Sequence, residues 1–370
     1  MQFSTHNLSN IRPTRSTLLT LAICISCPVH AALKELSESD MSDIRGQAAL
    51  YTEYVAPGQD GNNNAVDGST TSNVGFFRLG LNATIDLNTN IRHLQLGCGG
   101  VNGAGCDIDI SNLSLTGVNA GSDGTYASSD AKITNPFIEL AIKNPNSLST
   151  RELEGFRLGA ASILGRLSIG TNSNTTSTTD DTGIKSLSGN LTVNLVNGVL
   201  NNVNIGGVAT TTATVSSYTS TQSLSRASTI TLDGISATTG TVKLGGVLPT
   251  ISGLTLSNVS LVNEPLSSVH NLLLANADGT ATSDAYLSLQ KTAITWQTLS
   301  TGAFDTTTTA QTGWWLSLPS VTISNLSSNS EVYVPLLTAL TGTFGSKVSL
   351  AAFDLGQTPV QNCYGSLKFC

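Results

Sequence analysis

The chain has little charge and few aromatic side chains. Charged residues make up 11% and aromatic residues 5% of its 370 residues, whereas charged residues are roughly 25% of an ordinary soluble protein. The formal net charge is −7, and this acidic balance argues against nucleic acid or anionic lipid as a partner. The sequence has no phosphate loop and no dinucleotide fingerprint. We therefore expect no nucleic-acid partner and no cofactor.

Reactive side chains are also scarce. The sequence has four histidines, and no Gly-x-Ser-x-Gly elbow accompanies them, so a serine nucleophile lacks an obvious activating base. Two pairs of carboxylates two residues apart, Asp107/Asp109 and Glu152/Glu154, leave sugar hydrolysis open, because glycosidases use two acidic side chains. Without a cleft to hold them, the pairs favour no reaction, and we expect a protein that is not an enzyme.

Residues Met1–Ala31 have the pattern of a secretion signal. Arg12 and Arg15 precede an apolar stretch, Ser16–Cys27, which is followed by small residues at Val29 and Ala31. The stretch is shorter than the roughly 20 residues of a membrane-spanning helix. We expect cleavage after Ala31 and a mature chain with no membrane span. The net charge then changes from −7 to −9, because two arginines and no acids leave. Such a protein resides in the periplasm, against the outer membrane or at the cell surface.

Cysteine spacing predicts two local disulfides in the exported chain. Of six cysteines, two leave with the signal. The others form two close pairs, Cys98 with Cys106 and Cys363 with Cys370. Export and close spacing favour pairing between neighbours. Zinc binding is disfavoured because neither pair has Cys-x-x-Cys spacing, and we expect no metal centre at these residues.

Apolar residues alternate with polar ones from Phe76 onward, which predicts an all-β protein. The exception is Leu33–Ala48, whose apolar residues have helical spacing. The apolar stretch Leu266–Ala277 is also compatible with one or two helical turns. The expected organisation is a signal (1–31), a helix with a short strand (32–56), a β-rich region with the first cysteine pair (57–170), a polar loop or linker (171–183), and a β-rich region with the second pair (184–370).

A bend pattern recurs in the β-rich regions. It reads apolar, polar, apolar, polar, Asn or Gly, apolar, Ser, at Ile108–Ser114, Ile230–Ser236, Leu254–Ser260 and Val321–Ser327. Asn and Gly tolerate the left-handed or bulged backbone of a corner between strands. The irregular spacing of the four copies argues against a regular solenoid. We therefore expect an elongated, bent β-sheet or sandwich, with a parallel β-helix as the alternative.

Two further sets of residues are candidate contact sites. Asp60, Asn62 and Asn64 resemble part of a calcium loop, although the Gly and Glu of an EF-hand are missing. Trp314 and Trp315 are adjacent, so in a strand their rings point to opposite faces. One ring then belongs to the core, and the other is available to stack on a sugar or contact a partner protein.

Three segments resemble a family of exported gammaproteobacterial proteins. They are LKELSESDMSDIRGQA at the mature N-terminus, FFRLGLNATIDLNTNIRHLQLGCGGVNGAGCDIDISNLSLTG from Phe76 to Gly117, and TNPFIELAIKNPNSLSTRELEGFRL from Thr134 to Leu158. Some members are described as FilA-like pilus-system proteins. The resemblance implies a β-rich envelope protein with protein partners, including pilus components, and no catalytic residues.

The sequence leaves three functional hypotheses. The first is an exported, non-enzymatic structural or adhesive protein of the cell surface, with a link to a pilus or fimbrial system. The second is a secreted β-helix enzyme acting on carbohydrate, which requires two carboxylates and a tryptophan in one groove. The third is an outer-membrane β-barrel, which alternating segments of low charge suit but 5% aromatic content does not.

Overall fold

Strands dominate the chain, which confirms the all-β prediction. The structure is a computed structural model that describes residues 49–120, 126–171, 183–230, 235–244, 250–260, 269–325, 327–341 and 348–349. The predicted signal and the predicted helix Leu33–Ala48 lie outside the described residues. The second cysteine pair, Cys363 and Cys370, lies outside them as well, and so does most of the polar segment 171–183.

The described residues form strands with one short helix and two single 3₁₀ turns. The strands of the first half are β1 Leu50–Val55, β2 Val74–Leu81, β3 Thr84–Leu87, β4 Thr89–Leu96, β5 Ile108–Thr116, β6 Ala131–Lys143, β7 Glu152–Ile169, β8 Ile184–Val196, β9 Val199–Ile205, β10 Ala209–Val215 and β11 Tyr218–Ala227. Those of the second half are β12 Ile235–Thr239, β13 Val242–Lys243, β14 Thr250–Ile251, β15 Thr255–Ser260, β16 Val269–Leu274, β17 Thr282–Ser283, β18 Tyr286–Gln290, β19 Gln297–Thr298, β20 Ala303–Phe304, β21 Gly313–Ser324, β22 Ser327–Val334 and β23 Val348–Ser349. Helix α1 spans Leu336–Thr341, and the 3₁₀ turns span Gln59–Gly61 and Thr306–Thr308.

The larger sheet joins strands from both sides of the polar segment 171–183. Its order is β1-β2-β6-β7-β16-β21-β8-β5-β4, with β3, β11, β17 and β18 attached to this path. Strand β5 pairs with both β7 and β8. The path of paired strands from β7 through β16, β21, β8 and β5 therefore leads back to β7. At these strands the sheet curls around its own apolar side chains. At β1 and β2, the other end of the strand order, it is not closed in this way.

The second sheet has the order β22-β9-β10-β12-β15-β23. Side chains from both sheets form the larger core, among them Val193, Val203, Ala213 and Val332. A smaller core lies on the other side of the first sheet, where residues between β18 and β21 cover Phe76 and Trp315.

The described strands pair antiparallel except for β15–β23, β21–β8 and β22–β9. This pattern excludes a parallel β-helix for the part of the chain that the structure describes, since its rungs pair in parallel.

Left-handed asparagines turn strands from one sheet into the other. Asn197 separates β8 from β9 and Asn325 separates β21 from β22, each with φ 55°. The two corners lie side by side, and the Asn325 amide donates to the Val196 carbonyl at 3.0 Å. In the bend pattern, the left-handed backbone is confirmed at Asn325 and at Asn112, whose φ is 50°.

The helical interpretation of Leu266–Ala277 is wrong for its described part. Val269–Leu274 is strand β16, which lies between β7 and β21. Its apolar residues Val269, Leu272, Leu273 and Leu274 do not alternate, because both faces of the strand are largely buried, and such a short segment does not distinguish a central strand from a buried helix. Within the described ranges, no helix is long and apolar enough to cross a membrane.

Candidate binding groove

A row of charged side chains crosses the first sheet on its covered face. Cross-strand pairing aligns Glu53 of β1, Arg78 of β2, Glu139 of β6 and Arg157 of β7. Arg78 Nη2 donates to Glu139 at 2.8 Å and Arg78 Nη1 donates to Glu53, while Arg157 Nε donates to the second oxygen of Glu139. The alternating signs make this charge ladder, Glu53–Arg78–Glu139–Arg157, self-neutralising.

Aromatic rings and Gln297 of the short strand β19 complete the surroundings of the ladder. The Arg157 guanidinium lies 5.2 Å from the ring centres of Phe137 and Trp296 and 5.3 Å from that of Tyr286. Such contacts stabilise a desolvated cation. Gln297 accepts hydrogen bonds from both arginines, through Oε1 to Arg78 at 3.1 Å and through its carbonyl oxygen to Arg157 at 2.8 Å. Burial raises the pKa of Tyr286, so this ring stays neutral near pH 7.

The opposite face of the same strands carries an aliphatic row that solvent reaches. Leu79, Ile138 and Leu158 each neighbour a ladder residue in sequence. Cross-strand pairing aligns them with two further residues, Leu287 of β18 and Leu316 of β21. Leu79 and Ile138 are each 49% exposed and Leu158 is 42% exposed. This part of the sheet is therefore inverted, since charge is covered and apolar carbon faces water. Contiguous exposed apolar surface of this kind usually marks an interaction site.

The aliphatic row lines a groove of about 650 Å³. Its other walls include Leu50 and Leu81 at the open end and Ile163 and Leu318 toward the larger core. None of the residues that line it is charged. We call this feature the aliphatic groove. Its volume lies within the roughly 300–1,000 Å³ of small-molecule sites.

A repeated tetrapeptide, which is not among the motifs described above, supplies two members of each row. Phe-Arg-Leu-Gly occurs at Phe77–Gly80 and again at Phe156–Gly159. In each copy the arginine joins the ladder and the leucine joins the aliphatic row, because successive strand residues point to opposite faces. An arginine within an apolar alternating strand, found twice, was the available signal for an inverted face.

The two neighbouring tryptophans lie on opposite faces of β21. Trp315 is 1% exposed in the smaller core. Trp314 is half-buried beside Phe156, with ring centres 5.8 Å apart in an edge-to-face arrangement. Trp314 extends the apolar face of the sheet alongside the aliphatic row, while Trp315 has no surface to offer a ligand.

Of the two predicted disulfides, the one between Cys98 and Cys106 is confirmed. It closes the loop between β4 and β5, inside which the Gly99 amide donates to the Gly105 carbonyl at 2.9 Å. The loop is thereby closed by one covalent bond and one hydrogen bond. The other predicted bond joins Cys363 to Cys370. Both of these cysteines lie outside the described residues, so their pairing stays a prediction.

Asp107 connects the disulfide-closed loop to two distant strands. Its buried carboxylate accepts hydrogen bonds from Arg226 of β11 at 2.9 and 3.0 Å, from Asn102 at 2.9 Å and from the Trp314 amide at 2.9 Å. Asp109, its predicted partner, instead binds His93 at 2.8 Å and Gln95 on β4. Partial burial opposes ionisation of Asp109, but these hydrogen bonds hold its pKa below the ordinary value. Both carboxylates thus have structural partners.

The calcium candidates form a tether between two loops. The Asn62 side chain is buried, donates to the Val74 carbonyl at 2.7 Å and accepts from the Asn64 side chain at 2.9 Å. Asn64 exchanges two hydrogen bonds with the backbone of Thr295, each 2.9 Å. Asp60 is exposed in the 3₁₀ turn. Both amide oxygens are therefore already used as acceptors within the protein.

Glu152 and Glu154 lie in a cluster with Asp67 that has the spacing of a cation site. The ammonium group of Lys143 occupies its centre, 2.7 Å from Glu152 and 3.5 Å from Glu154, and also binds Asp67. The hydrogen bond from Lys143 lowers the pKa of Glu152 to about 2. Glu152 is consequently ionised at neutral pH and holds no proton to give to a leaving group.

No family model, curated protein or solved structure matches this chain. Functional inference therefore depends on the side chains themselves. Among the clusters within the described residues, the charged ones are internally paired, whereas the aliphatic groove presents apolar surface that the described residues do not cover. The groove is the candidate functional site.

Proposed function

We propose that this protein is an exported, non-enzymatic structural or adhesive protein of the bacterial cell surface, working with envelope proteins such as components of a pilus or fimbrial system. The observation that carries the proposal is the aliphatic row across β2, β6 and β7, of which Leu79, Ile138 and Leu158 are exposed. A surface without charged groups acts by contact, not by proton transfer or nucleophilic attack.

Two further features support this role. The Cys98–Cys106 bond suits an oxidising compartment outside the cytoplasm. The carboxylates expected of a sugar-cleaving enzyme are held by Arg226, Lys143 or His93, and none lines the groove. These pairings favour a scaffold over a glycosidase.

Fractionation of intact cells tests the location. We expect the protein in the envelope fraction or medium, shortened by its first 31 residues, and cleaved when intact cells are treated with protease. A periplasmic marker and a cytoplasmic marker, both uncleaved, are the controls. Recovery of the full-length protein from cytoplasm alone, with Cys98 and Cys106 open to thiol labelling before lysis, would overturn the proposal.

A further inference from the structure

We propose that the aliphatic groove binds the acyl chain of a single lipid molecule with an uncharged or zwitterionic headgroup. The proposal deepens the proposed function, because an envelope protein works beside lipid. The class of ligand follows from three properties of the groove: its side chains, the state of the backbone beneath it and its charge.

The side chains favour a flexible hydrocarbon. Aliphatic carbon from five adjacent strands forms the row Leu79–Ile138–Leu158–Leu287–Leu316. Such a surface offers dispersion contacts and removal from water, which are non-directional. A methylene chain gains dispersion contacts and is removed from water along its whole length, and it has no polar group that would be buried without a partner. The groove volume of about 650 Å³ is that of a small-molecule site and not of a broad protein interface.

The backbone beneath the groove disfavours an extended peptide. Strand β2 pairs with β1 and β6, β6 with β2 and β7, and β7 with β6 and β18. Their amide and carbonyl groups are therefore used inside the sheet. A peptide strand lying in the groove would find no backbone partners there, and unpaired buried amides are costly. A strand-like partner instead requires a free sheet edge.

Charge selects the headgroup. Arg78, Glu139 and Arg157 point to the covered face, where together with Glu53 their charges cancel. The groove therefore has no cation to hold a carboxylate or phosphate, and the net charge of −7 repels anionic lipid. A headgroup that stays in solvent and carries no net charge fits these conditions.

Calorimetric titration of the full exported protein with lysophosphatidylcholines tests the proposal. Acyl chains of 8, 10, 12 and 14 carbons are compared, each below its micelle concentration. We expect one lipid molecule to bind per protein molecule. The Kd should decrease by up to about fourfold for each added methylene until the groove is filled. A Kd independent of chain length, or no binding by the longest chain, overturns the proposal.

Matched variants locate the site. Ile138→Lys places a charge in the groove at a position that is 49% exposed, whereas Leu148→Lys makes the same change at a position that is 89% exposed outside it. We expect the first to weaken binding at least tenfold and the second less than twofold. Leu79→Lys is the second groove variant if Ile138→Lys fails to fold, as judged by circular dichroism. Equal affinity in groove and control variants overturns the proposal.

Other occupants give different results. A dimer seen by light scattering that Ile138→Lys dissolves identifies a second copy in the groove and overturns the proposal. Binding of lipid by the exported protein only after residues 32–48 are removed identifies that segment as the occupant and also overturns the proposal. Either result leaves the proposed envelope location intact, because cell fractionation tests that location separately.

Discussion

Glu139→Gln should destabilise the protein more than any change to an exposed ion pair. Glu139 is 1% exposed and lies between two arginines, Arg78 and Arg157, that are 5% and 1% exposed. The substitution removes the negative charge and replaces one of the two acceptor oxygens by an NH2 group that faces a guanidinium. Two buried cations are then left with Glu53 as the one carboxylate of the ladder. Breaking a buried ion pair in this way costs about 3–5 kcal/mol.

The matched control is Asp86→Asn. Asp86 pairs with Lys132 at 2.9 Å on the surface, where the two side chains are 54% and 57% exposed. Exposed pairs contribute about 0–1 kcal/mol. Urea unfolding of both variants and the parent, followed by tryptophan fluorescence, measures the difference. A loss below about 1 kcal/mol for Glu139→Gln would show that water reaches the charge ladder and would refute its description as a desolvated network.

Three further changes test other parts of the structure. Replacing Cys98 and Cys106 together by Ser should lower the free energy of unfolding by about 2.5 kcal/mol, because the unfolded chain regains loop entropy. Urea unfolding under non-reducing conditions measures this free energy, and an unchanged value would contradict a formed disulfide. Because the hydrogen bond from Lys143 holds the pKa of Glu152 at about 2, below its ordinary value of 4.5, this stabilisation is fully present above pH 4.5 and is lost as the pH falls through about 2. Glu152→Gln should therefore flatten stability measured over that range, and an unchanged pH profile would refute the assignment. Asn325→Val should cost about 1–2 kcal/mol in thermal unfolding because its φ of 55° is left-handed, whereas Asn325→Gly should be nearly neutral; equal losses would contradict a backbone cause.

The all-β class was predictable because side-chain alternation is a local property of a strand. The left-handed corner at Asn325 was predictable for the same reason, since Asn is one of the few residues that tolerates it. The Cys98–Cys106 bond was predictable from close spacing and the expected secretion signal, and the same reasoning is what predicts a bond between Cys363 and Cys370. Each of these features involves residues that are near in sequence.

Strand β16 was mistaken for helical turns because burial on both faces removes the alternation that identifies a strand. The charge ladder was missed for a related reason. Arg78 binds two carboxylates, Glu53 and Glu139, which lie 25 and 61 residues away in sequence. No residue near Arg78 in the sequence indicates these partners. The polar cluster of Asp107 likewise has partners on distant strands, and Lys143 binds Asp67, which is 76 residues away in sequence.

The sequence by itself determined the strand character of this protein, the corner at Asn325 and the local disulfide, because backbone propensity and short loops act over a few residues. Only the tertiary structure decided which face of the first sheet is covered. Alternation specifies that Arg78 and Leu79 point to opposite sides, but it does not specify which side meets the segment between β18 and β21. That packing covers the charges, leaves Leu79, Ile138 and Leu158 toward solvent, and thereby creates the aliphatic groove.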